Sequence, residues 1–123
     1  MIFKFMAWLT ALAGTVLGLR FIFAGASLLR DWGLEPAEAP LVICRRLGAL
    51  YLGLAVMFFA GRNAGPSELR SAVCLGMSVA ITLLSCLGPF ELRAGRVTNG
   101  ILVPSITEAI LAIGFFWAWW SGR

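Results

Sequence analysis

Residues 101–120, ILVPSITEAILAIGFFWAWW, form an apolar run with the length of a bilayer crossing, and no other feature limits the fold of this chain as tightly. A helix rises about 1.5 Å per residue, so about 20 residues cover the roughly 30 Å hydrocarbon core. One carboxylate, Glu108, lies inside the run. An ionisable group in such a segment is costly, so it is expected to face the bundle interior or a water-filled cavity and to have a partner.

Three further apolar segments precede it. With 60% hydrophobic residues among 123 and a mean hydropathy of +0.91, the chain lies well above the roughly 45 to 50% apolar share of soluble domains. The reading is all-α: one transmembrane domain over residues 1–123, a four-helix up-and-down bundle with helices at 5–29, 41–60, 70–87 and 101–120. The first segment opens on Lys4 and contains Ala11-Leu12-Ala13, which resembles a signal cleavage site. Only residues 5–10 would precede that site, too few for a signal core, so the helix is expected to be retained. Gly33, Pro36 and Pro40 mark the first connection, Ser67 is a candidate N-cap, Gly88-Pro89 closes the third helix, and Pro104 fits a first turn.

Composition excludes several kinds of chemistry. The absence of histidine removes bis-His haem, histidine-based zinc sites and a Ser-His-Asp triad. Cys44, Cys74 and Cys86 stand 30 and 12 residues apart with no C-x-x-C, so no metal site and no cofactor is expected. The net charge of +4 is spread over segment ends and offers a duplex no basic face, so the expected partners are the bilayer and other membrane helices, not nucleic acid.

Small residues recur at helical spacing. Gly14 and Gly18 form a G-x-x-x-G in the first helix, Ala49 and Gly53 a similar pair in the second, and Ala72, Gly76 and Ala80 a stripe in the third; each is a candidate packing surface. Trp8, Trp32, Trp117, Trp119 and Trp120 suit the membrane interfaces. With four spans, both termini share one face, here the terminal face, and the first and third connections share the other, here the connection face.

Counting helical rise from Leu29 puts Arg20 about 13 Å from the connection face, and counting from Ile101 puts Glu108 about 10 Å from it. Arg45 and Arg46 enter from the same side. The expectation is a cluster of Arg20, Arg45, Arg46 and Glu108, with Arg20 the partner of Glu108. Three readings stay open: an ion pair joining the first and fourth helices, a site for a lipid, quinone or anionic solute, and proton or ion coupling. For Arg45 and Arg46 the ordinary reading is that they snorkel to headgroup phosphates from the first turns of their helix. Basic residues number four on the terminal face (Lys4, Arg62, Arg70, Arg123) and five on the other (Arg30, Arg45, Arg46, Arg93, Arg96); setting Arg45 and Arg46 aside as site residues favours cytoplasmic termini.

Trp32-Gly33-Leu34 after the first helix, Arg46-Leu47-Gly48 with Gly53 in the second, and an acid inside the fourth together give an order of features that resembles small bacterial four-helix membrane proteins broadly similar to DoxX. The resemblance implies a bacterial inner-membrane protein and an accessory subunit, with a hint of quinone-linked oxidation. Small multidrug transporters are similar in length and span number, but their glutamate lies in the first helix, where this chain has Arg20. The function expected is therefore a non-enzymatic accessory or structural subunit of a larger complex or homo-oligomer. The alternative is a small oligomeric transporter or channel for an anionic or proton-coupled solute.

Overall fold

A computed structural model describes residues 2–122. It contains five α-helices among the described residues: α1 Ile2–Phe23, α2 Gly25–Asp31, α3 Glu38–Ala60, α4 Glu68–Arg93 and α5 Leu102–Ser121, the last entered through a 3-10 turn at Asn99–Ile101. Four segments are long and apolar enough to cross a membrane: α1, α3, α4 and the turn with α5. Arg123, counted above among the basic residues, lies outside the described residues.

Three boundaries differ from those read in the sequence. The first helix does not run unbroken to Leu29. Ala24 leaves helical geometry (φ −133°, ψ 32°) and separates α1 from α2. The bend follows from packing, because Gly25 comes so close to α3 that an added Cβ would lie 3.2 Å from the Cys44 Cβ. Pro40 does not delay the second helix, since it falls in the first turn of α3, where a proline forfeits no helical hydrogen bond. Gly88-Pro89 does not close the third helix either, because α4 continues through Pro89 to Arg93. Pro89 frees only the Ser85 carbonyl from its usual donor, and Gly88 lets α4 approach Ser105 of α5 where any side chain would collide. Ser67 caps α4 as its residue type suggests, its Oγ accepting from the Arg70 N–H at 3.1 Å.

α1 packs along α3 and α4 along α5, while α1 also meets α5, so the helices lie across the bundle in the order α3, α1, α5, α4. The α1–α3 contact is built on backbone. A Cβ on Gly18 would lie 2.9 Å from the Gly48 carbonyl oxygen, and one on Gly48 2.6 Å from the Gly18 oxygen. The glycine hydrogens occupying those positions point at the facing carbonyls, a Cα–H···O arrangement that suits a membrane seam.

Two apolar cores lie at opposite ends. Towards the terminal face Phe3, Met6 and Ala7 of α1, Phe58 of α3, Cys74 and Ile81 of α4 and Leu111 and Phe115 of α5 pack together, with Phe58 and Phe115 rings 5.4 Å apart. Towards the connection face Phe21, Leu28, Leu29 and Cys44 form a smaller core from α1, α2 and α3 alone. The α4–α5 pair is held to that end by a clasp. The Thr98 N–H donates to the Trp32 carbonyl at 2.9 Å and its hydroxyl to the Asp31 carbonyl at 3.1 Å. Gly33, at φ +76°, makes the turn that presents those carbonyls.

Candidate functional site

Glu108 is placed by the inward stripe of α5. Ser105, Leu111, Ala112, Phe115 and Ala118 are buried, and Glu108, three residues after Ser105 and four before Ala112, falls on the same stripe. It is half-buried. Its carboxylate makes no hydrogen bond or ion pair with any described residue. Tyr51 of α3 lies within electrostatic reach of it, and the Tyr51 ring stacks on Phe21 with centroids 5.5 Å apart and planes at 11°.

The expected Arg20–Glu108 pair does not form. Arg20 stands in the last turn of α1 and its Nη2 lies 3.2 Å from Asp31 Oδ2, both side chains being largely exposed. The depth estimate fails because it assumed one straight helix to Leu29. With the chain bending at Ala24, Arg20 sits at the connection end, and α2 carries Asp31 back to meet it.

Arg45 and Arg46 do not join Glu108 either. Both are exposed, and α3 turns Cys44, Gly48, Ala55 and Phe58 inward instead. The four-residue cluster is thus dispersed into an exposed ion pair, two outward arginines and an inward acid without a cation. No group of three metal-ligating side chains occurs among the described residues.

Tyr51 is the site residue that the sequence reading passed over as a partner. Cys44, Gly48, Tyr51, Ala55 and Phe58 recur at alternating spacings of four and three, and that periodicity alone places Tyr51 on the inner face of α3. Asp31 follows Arg30 at the start of a polar connection in the sequence. Only the helical turn of α2 relates it to Arg20.

The small-residue surfaces divide into two kinds. Gly14 and Gly18 are buried against α3, with a Cβ on Gly14 falling 3.0 Å from the Tyr51 carbonyl. Ala49, Gly53, Ala72, Gly76 and Ala80 are exposed, and nothing lies within 4 Å of a Cβ built on Gly53 or Gly76. They do not pack within the chain.

The aromatic side chains mark both ends. Trp8 meets Phe59 edge-on at 5.3 Å beneath the Arg62 guanidinium, which lies 4.1 Å over the Phe59 ring. Trp119 and Trp120 group with Phe116, and Trp117 is exposed. At the other end Trp32 packs edge-on to Phe21. Tryptophan and arginine at these levels suit the boundary between headgroup and hydrocarbon.

Four apolar spans, aromatic ends and polar connections define a multi-pass integral membrane protein of all-α architecture. Compared with family models, curated proteins and solved structures, the chain matches none.

Proposed function

We propose that this protein is a non-enzymatic structural or accessory subunit of a bacterial cytoplasmic membrane, acting by packing against other membrane helices in a larger complex or homo-oligomer. The observation that carries this reading is the outer face of α4. Ala72, Gly76 and Ala80 recur every fourth residue there, exposed, with no charged residue between Arg70 and Glu91. Where the same chain puts small residues at this spacing on α1, another helix fills the space. In lipid, such faces let backbones approach closely and supply the van der Waals contact that drives helix association. The likeness of the feature order to DoxX-like bacterial proteins agrees with an accessory role.

Extraction from native membranes in a mild detergent tests this. A stoichiometric partner, or a defined homo-oligomer, is expected to travel with the protein, and Gly76→Leu is expected to release it while leaving helical content unchanged. A wild-type protein extracted as a bare monomer would contradict the proposal.

Glu108 favours a second reading, proton-coupled transport, because an ionisable side chain turned towards the interior of a membrane bundle marks ion and proton pathways. On this reading Glu108→Gln abolishes pH-driven uptake into proteoliposomes and the fold persists. Uptake equal to that of the wild type would remove it.

A further inference from the structure

The outward face of α3 has the makings of a lipid site. Arg46 lines a shallow depression of about 700 Å³ together with Ile43, Leu47, Ala49 and Leu50. Arg46 forms no ion pair or hydrogen bond with a described residue, and neither does Arg45 beside it. The acid nearest in sequence, Glu38 in the first turn of α3, pairs with neither of them. Two guanidinium groups are therefore left on the membrane-facing side of a spanning helix with no ion pair to any described residue.

Their depth decides what could neutralise them. Arg46 follows Glu38 by eight residues, so its Cα lies about 12 Å along the helix from the start. Helical side chains lean towards the N-terminus. The extended arginine therefore carries its charge back to the level where the headgroup phosphates begin. Ala49 and Gly53 follow Arg46 by three and seven residues, on the same side and one to two turns deeper. Ala49 lines the depression beside Leu50, and nothing lies within 4 Å of a Cβ built on Gly53, so the face below the guanidinium is open.

We propose that this face of α3 binds one anionic phospholipid, its phosphate on Arg46 with Arg45 alongside and one acyl chain lying over Ala49 and Gly53. A planar guanidinium grips a phosphate through two parallel hydrogen bonds. Two unpaired positive charges complement a headgroup of net negative charge and disfavour one that carries its own cation. The site uses α3 and leaves the α4 face untouched, so it stands independently of the subunit reading.

Native mass spectrometry of the full chain in a neutral detergent, titrated with phosphatidylglycerol or phosphatidylcholine, provides the test. One phosphatidylglycerol per chain is expected to be retained in preference to phosphatidylcholine. Arg46→Gln should weaken that retention by about tenfold, and Arg45→Gln should weaken it less. Gly53→Leu fills the open space on that face while keeping both arginines, and is expected to weaken retention as well. Its side chain enters open space, so this variant keeps the test decisive if Arg46→Gln fails to fold. Arg93→Gln, at the far end of α4, should behave as wild type. Equal retention of the two lipids would overturn the proposal, as would full retention by Arg46→Gln or Gly53→Leu. Displacement of the lipid by inorganic phosphate alone, or a second copy of the chain occupying this face in place of lipid, would overturn it too.

Discussion

Replacing Gly48 by alanine should be the most damaging single-methyl change in the seam between α1 and α3. The new Cβ would sit 2.6 Å from the Gly18 carbonyl oxygen and 2.6 Å from Ile22 Cγ1, whereas ordinary contact begins at 3.4 Å. Ile22 can turn aside. The carbonyl belongs to α1 and moves only if the helices separate, by about 0.8 Å along that direction. Overpacking of this kind costs about 1 to 3 kcal/mol, and the Gly48 variant should fall in the upper half because backbone, not side chain, must yield. Gly18→Ala meets the Gly48 oxygen at 2.9 Å and should cost less; Gly14→Ala meets the Tyr51 oxygen at 3.0 Å and should cost least of the three. Gly53→Ala enters open space and should be neutral or slightly stabilising. Unfolding in mixed micelles by titrated dodecyl sulfate, followed by far-ultraviolet circular dichroism, would rank the four. Coincident midpoints for Gly48→Ala and Gly53→Ala would refute the backbone seam between α1 and α3.

Three other outcomes follow from the same contacts. A double-mutant cycle between Arg20→Gln and Glu108→Gln should give no coupling beyond about 0.5 kcal/mol, while Arg20→Gln with Asp31→Asn should give about 0.2 to 1 kcal/mol, as exposed ion pairs do. The Thr10 hydroxyl is buried with no hydrogen-bond partner, so Thr10→Val should leave stability unchanged or raise it by about 1 kcal/mol in the same micelle assay. Gly33→Ala should destabilise by more than Gly95→Ala. Both glycines have positive φ, but a Cβ on Gly33 would run into the Thr98 side chain whereas one on Gly95 meets nothing.

Much of the architecture was legible because apolar length is a strong signal. Four runs of spanning length, the Ser67 cap and the first-turn position of Pro104 all appear in the structure as their residue types suggest. The site was less legible. Depth along a helix can be counted only if the helix is straight, and nothing in the residues 20–29 shows that Ala24 breaks it. That break depends on Gly25 fitting against Cys44, a contact 19 residues away in the chain. Which way a helix turns its small residues is also hidden, since G-x-x-x-G in α1 and A-x-x-x-G in α3 look alike in sequence. The first faces a neighbour and the second faces out because the Cys44, Gly48, Tyr51, Ala55 and Phe58 stripe claims the inner side of α3.

The subunit reading rests on whether another helix covers Ala72, Gly76 and Ala80 in the native membrane. Spin labels at Gly76→Cys and at Ile110→Cys, an exposed position on α5, in a background without the three native cysteines, report this through their accessibility to dissolved oxygen. In native membranes the label at position 76 should be shielded and the label at 110 open, with the difference vanishing when the protein is isolated as a monomer. Equal oxygen access at both positions in the native membrane would contradict the account.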